Sequence, residues 1–269
     1  MRIAAVHCTQ HYGGSGIIKA VPRLLLINPN TSESMTALVL GHARAALPAE
    51  IKIVAVTARF GAPVIATEAA FAIAAHATLD AYAAKPGHWN AVLLACFGDP
   101  ALHALREISP APVVAFADAA MAAAAQAVGA GGRFAIVTGG ARWEPMLTRL
   151  AAALGYADTL AGICTLAIDG GQIAANPDGA LVALQAAVQQ AVDRYAAQAV
   201  IIGGAGLAGL AARLQPHSPV PLIDSVLSGV QRAGELARQH ATGQWAGGAI
   251  NREPLGTHGL NQELGRLLK

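Results

Sequence analysis

Cys96 ends an apolar run, Ala91-Val92-Leu93-Leu94-Ala95, and opens the turn Phe97-Gly98-Asp99-Pro100. A thiol in that place can be a reactive, catalytic group, working through its thiolate. Gly98 permits close backbone approach, and Pro100 suits the first turn of a helix. A helix starting there would lower the thiol pKa and favour the thiolate. Against this stands the usual fate of a free cysteine, a small buried hydrophobe. The residues alone leave the two readings of Cys96 level. Cys8, in an unpatterned N-terminal stretch, and Cys164, inside an apolar run, read as structural. Three cysteines without CxxC spacing support neither a disulfide framework nor a zinc site, and no metal is expected.

Other residues that could hold a ligand follow apolar runs in the same way. Asn28-Pro29-Asn30-Thr31-Ser32 leaves one run and enters a helical pattern. Thr31 or Ser32 can cap that helix; alternatively Asn28, Asn30 and Thr31 hold a carboxylate or imide oxygen at its N-terminus. Gly139-Gly140 follow Thr138, and Gly203-Gly204-Ala205-Gly206 follow another run. Neither stretch is GxGxxG or leads into Lys-Ser/Thr, so the nucleotide signal is weak. Thr138 reads as a helix cap or as a hydrogen-bond partner for a substrate oxygen. The nine His form no metal-ligand spacing, and His76 and His103 read as surface or packing residues. Asp99 and Asp224 read as caps or first-turn acids of the helices that follow them.

The elements that must position these residues alternate between apolar runs and alanine-rich helical patterns. Strands are expected at 24–27, 51–56, 91–95, 113–116, 134–137, 162–167, 200–202 and 222–223. Helices are expected at 32–46, 68–83, 118–128, 142–154, 178–197 and 225–240. Near-continuous apolar strands between helices predict parallel sheets covered on both faces. The pattern also repeats. "AVLLACFGDPAL" at Ala91 answers "AVIIGGAGLAGL" at Ala199, with Gly204 where the first copy has Cys96. "RLLLINPN" at Arg23 answers "RFAIVTGG" at Arg133, and "APVVAFAD" at Ala111 answers "VPLIDSV" at Val220. The expectation is an α/β protein of two similar parallel-sheet domains related by a pseudo-two-fold axis, about four strands each. The first takes 23–117 plus 225–245 and the second 118–224. Residues 1–22 read as a disordered extension or as translation from an early start codon. Ligands of open parallel sheets bind beyond the carboxyl ends of the strands, so the site is expected in the cleft between the domains.

Composition limits the alternatives. Hydrophobic residues are 54% and charged residues 13% of 269, which suits a folded chain with a large core. A formal charge of +2 without a Lys/Arg run speaks against a nucleic-acid partner. No apolar stretch is long enough to span a bilayer free of charges and turn signals, and the N-terminus lacks a secretory pattern, so no membrane partner and a cytoplasmic location are expected.

The motifs "LLINPNTSESMT", "GAPVIATEAA", "ACFGDPAL", "AIVTGG" and "IIGGAGLAGLA" resemble those of the Asp/Glu/hydantoin racemase superfamily, in its hydantoin and allantoin racemase branch, from about Arg23 to about His240. The resemblance implies a homo-oligomeric enzyme without cofactor that moves a proton at a carbon next to a carbonyl. Its substrate would be a small carboxylate, hydantoin or amide. In that family two cysteines, one from each domain, work on opposite faces of the carbon. Backbone N–H groups and small hydroxyls hold the enolate. Cys96 matches the first cysteine. Asn28, Thr67, Thr138 and the backbone at Phe97–Gly98 and Ala205–Gly206 fall where such enzymes hold substrate, and Gly139 and Gly204 line the same junctions. Gly204 stands in the place of the second cysteine and carries no proton. The alternatives are therefore a single-cysteine decarboxylase of malonate-type acids, a racemase using water or another side chain as second base, and a silent binding protein. Maleate isomerisation, which in related enzymes needs two cysteines, is less expected.

Overall fold

The computed structural model describes residues 21–245, 247 and 256–268. Cys8 and most of the 1–22 extension lie outside them. Within them the chain runs β1 (Arg23–Asn28), α1 (Glu33–Ala46), β2 (Lys52–Thr57), α2 (Glu68–Ala83), β3 (Ala91–Leu94), α3 (Leu102–Ile108), β4 (Val113–Ala115) and α4 (Phe116–Val128). It continues with β5 (Phe134–Gly139), α5 (Trp143–Ala153), β6 (Leu160–Leu166), α6 (Gly170–Ala175), α7 (Pro177–Tyr195), β7 (Ala199–Gly203), α8 (Leu210–Leu214), β8 (Leu222–Asp224), α9 (Ser225–Ala241) and α10 (Gln262–Leu267).

The eight strands form two four-stranded sheets, ordered β2-β1-β3-β4 and β6-β5-β7-β8, with every neighbouring pair parallel. Replacing each strand number n of the first sheet by n+4 gives the second. The repeat read in the sequence is thus a repeat of topology. It sets β3 and β7, the strands that lead into Cys96 and Gly204, in equivalent central places. Both strands are wholly buried, as runs of Val, Ile, Leu and Ala between two helical layers must be.

The helix after the fourth strand of each half holds the molecule together. α4 follows β4 but packs on β7, β5 and β8 of the other sheet. α9 follows β8 and packs on β3, β4 and β1. The two helices also pack on each other. Small residues allow this close crossing: a Cβ on Gly229 of α9 would lie 2.6 Å from the Phe116 ring. One apolar cluster accordingly takes Leu24, Leu26 and Leu93 from one sheet and Phe134, Ile136 and Ile201 from the other.

Helix starts follow cap chemistry. Ser32, Thr67 and Asp224 each accept a backbone N–H from the first turn of α1, α2 and α9. Asp224 therefore has the role its position predicts. Four short elements depart from the sequence reading. α3, α6 and α8 are too short to show a helical period, and α10 lies past the last expected element. α10 docks on α2, with Leu264 buried. Arg59 bridges the buried Asp80 at 2.7 Å and Glu263 of α10 at 2.9 Å, and Asn261 also bonds Asp80. The sequence reading also carried the fourth strand to Phe116, which instead begins α4.

Candidate active site in the cleft between the sheets

A cleft with about 590 Å³ of empty space, counting its open mouth, lies beyond the carboxyl ends of β1, β3, β5 and β7. From the first half come Asn30, Met35, the Pro63–Ile65 loop and the chain from Ala95 to Phe97. The second half contributes Thr138, Gly139, Trp143, the turn from Asp169 to Gly171 and the turn from Gly204 to Leu207. Asp169 is the one charged side chain among the lining residues; no Lys, Arg or His is there. Among the described residues no cluster of His, Cys, Asp and Glu suits a metal ion.

Two reciprocal contacts bring the Cys96 turn against the other half. The Phe97 ring lies on the bare backbone of Gly203, where a Cβ would collide with it. In return, Trp143 of α5 lies on Gly98, where a Cβ would stand 2.5 Å from the indole ring. Each aromatic side chain thus sits on a glycine of the facing half, at the two residues that follow Cys96. Gly206 is bare for a similar reason, since the Gly170 carbonyl oxygen occupies the place of its Cβ.

Cys96 is 9% exposed, and burial pushes its thiol well above the ordinary cysteine range, with the Asp99 charge adding to the shift. This overturns the expectation of a lowered pKa. α3 begins at Leu102, six residues after the thiol, and Ala101 precedes it in the left-handed region at φ 67°. No helix N-terminus reaches Cys96, so burial decides the sign.

Asp99 is not a cap of the helix that follows it. Held at φ 56°, its buried carboxylate accepts the Ala117 N–H at 3.0 Å and the Asp118 N–H at 2.8 Å, at the start of α4. Burial pushes its carboxyl up to about 7, against the pull of the Ala117, Asp118 and Gly98 N–H groups. Asp99 ties the Cys96 turn to the helix that crosses between the sheets.

The remaining sequence candidates divide. Asn30, Phe97, Thr138, Gly139, Gly204, Ala205 and Gly206 line the cleft with Cys96. Asn28 does not: it is 1% exposed, and its amide donates toward Asn30, Ser32 and Thr36 inside its own loop. Thr31 is tied by its N–H to the Ala62 carbonyl and lies off the lining, and Thr67 is spent on the α2 cap. Gly98 meets Trp143 rather than the cleft. Asn30 Oδ1 is taken by Asn28 and by the Ser32 N–H, which leaves its Nδ2 as the free donor of that side chain. Thr138 is no cap; its hydroxyl donates to the Gly203 carbonyl at 2.7 Å. Gly204 stands at φ 135°, a conformation glycine tolerates and a cysteine rarely adopts. Sequence reasoning missed Trp143, Leu207, Met35, the Pro63–Ile65 loop and Asp169. Their one signal was indirect: the sequence marks Gly98 as a place of close backbone approach and Gly203 as part of a glycine-rich turn, without showing that aromatic rings sit there.

The Asp/Glu/Hydantoin racemase family model matches residues 24–233. The chain is 30% identical over 222 residues to a hydantoin racemase of Pseudomonas sp. (strain NS671), covering 78% of this chain and 84% of that protein. It is 31% identical over 218 residues to a hydantoin racemase of Paenarthrobacter aurescens, covering 80% and 90%. Among solved structures, allantoin racemase from Klebsiella pneumoniae superposes with a TM-score of 0.77 at 28% identity, over 90% of this chain and 98% of that one. With its two matched parallel sheets, its interlocked cleft and these relatives, the chain belongs to the Asp/Glu/hydantoin racemase family, in the hydantoin and allantoin racemase branch, and is an isomerase that moves a proton at a carbon next to a carbonyl.

Proposed function

We propose that the protein racemises 5-substituted hydantoins or closely related cyclic amides, with Cys96 as its one side-chain proton carrier. The observation that carries this reading is a cleft with one thiol, no cationic side chain and a glycine opposite in the repeat. A neutral ring suits such a lining. A malonate-type acid would bring charge that no Lys, Arg or His is there to offset. The decarboxylase reading therefore stands second.

The step runs as follows. The Cys96 thiolate removes the proton from the carbon between ring carbonyl and substituent, and the electron pair passes to the carbonyl oxygen as an enolate. Asn30 Nδ2 and the backbone N–H groups of Ala205 and Gly206 are the donors that hold that oxygen. The Cys96 thiol then returns its proton to the same face, which regenerates the starting enantiomer. Inversion needs a proton on the other face. There, beside Gly204 and the Thr138 hydroxyl, water gives its proton to the carbon, and the resulting hydroxide takes the proton held by Cys96. Return to the original face is built in, while inversion relies on solvent and is slow.

The test follows optically pure 5-benzylhydantoin by chiral chromatography. Loss of enantiomeric purity should exceed the protein-free rate and fall back to it in Cys96→Ala and Cys96→Ser, with folding intact by circular dichroism. Unchanged rates in either variant would exclude Cys96 as the carrier. Release of CO2 from substituted malonates with no action on hydantoins would install the decarboxylase reading instead.

A further inference from the structure

We infer that Trp143 decides which substituents the cleft accepts, as a rigid wall that the second half lays against the Cys96 turn. The inference rests on the hydantoin-type reading for its choice of probes, but its geometry is independent of it. Trp143 is the first residue of α5 and only 9% exposed, yet it lines the cleft. Three contacts fix its ring. Gly98 lies under one edge, with its absent Cβ 2.5 Å from Cζ3 and 2.6 Å from Cη2. Gly140, at φ 91°, lies by the other edge, its absent Cβ 3.3 Å from Cδ1. Phe71 of α2 stands edge to face at 6.5 Å between ring centroids.

Of the other apolar side chains of the lining, Phe97 is likewise held, on Gly203, but the rest are of a different kind. Met35 and Leu207 have rotatable stems that can adapt to a guest, and Val64 and Ile65 sit on a loop. A clamped indole cannot yield, so it sets the limit on size. Its ring lies against Gly98, two residues beyond the thiol, which places this wall beside the Cys96 turn. Fixed apolar walls discriminate by about tenfold or more for changes of a few carbon atoms.

The experiment compares kcat/KM for 5-benzylhydantoin and 5-methylhydantoin in wild type, Trp143→Phe and Trp143→Ala. The benzyl-to-methyl ratio should rise by about tenfold or more in Trp143→Ala, with Trp143→Phe between. A parallel fall for both substrates, with the ratio unmoved, would make Trp143 merely structural and overturn the inference. Racemisation by wild type checks the underlying reading separately. A second measurement needs no turnover: urea unfolding of Gly98→Ala, Trp143→Ala and the double variant. The new methyl should destabilise the wild-type background and be nearly neutral once the ring is gone. Additive losses would show that the ring does not press on Gly98, and the wall with it would be lost.

Discussion

The thiol of Cys96 illustrates how the place of a residue can be legible in the sequence while its protonation state is not. Its place at the end of an apolar run, before a glycine-bearing turn, was legible in the sequence. Its protonation state was not, because a pKa depends on what closes over the group, and no local pattern shows the contacts of the Cys96 turn with the other half. Asn28 and Thr67 failed for the complementary reason. They are the right types to hold a substrate oxygen, but the backbone nearby needs the same hydrogen bonds, and it takes them. The raised pKa has a direct consequence. At neutral pH Cys96 is a thiol, so its alkylation, scaled to a free thiol in the same buffer, should be slow at pH 7. It should go on rising past about pH 8.5, where an ordinary cysteine levels off. Peptide-resolved iodoacetamide labelling measures this. A plateau at or below pH 8 would mean that the thiolate is stabilised, and that burial is not the deciding influence on Cys96.

The strands and long helices could be read because burial on two faces and alanine-rich helical periods leave strong marks. All eight strands stand where the apolar runs put them, within a few residues at their ends. α3, α6 and α8 left no such mark; with seven residues or fewer they hold no more than two turns, and contacts rather than period decide them. The two helices that cross between the sheets, α4 and α9, were legible as helices but not as a joint. Asp99 shows what the joint requires. It reaches from the Cys96 turn to the first N–H groups of α4, in a site where water is excluded. Truncating it leaves two donors without their acceptor. Asp99→Ala should therefore lower the unfolding free energy by about 2–3 kcal/mol, read from the midpoint of a urea transition at constant m-value. A loss below about 0.5 kcal/mol, the range of an ordinary surface change, would mean that the carboxylate does not tie the turn to the helix.

At the scale of the whole molecule, the repeat builds two equivalent strand ends facing one cleft, and the sequence equips only one of them with a thiol. Topology was visible in the match of the two junctions; the interlock that closes them, Phe97 on Gly203 and Trp143 on Gly98, was not, since it joins residues of the two halves whose only common feature is a missing side chain. Gly204, at φ 135°, has settled into a backbone conformation that a cysteine rarely adopts, so the asymmetry is built into the fold as well as the composition. An asymmetric cleft should treat the hydrogen at the chiral carbon differently in the two enantiomers. Each pure enantiomer of a 5-substituted hydantoin is incubated with the protein in heavy water. Proton NMR follows loss of the hydrogen at the chiral carbon, and chiral chromatography follows configuration in the same samples. The expected result is that one enantiomer exchanges at least about tenfold faster than the other, and faster than it inverts, because Cys96 removes and returns protons on a single face. Equal exchange of both enantiomers, with inversion keeping pace with exchange, would reveal a second carrier opposite Cys96 and contradict the account.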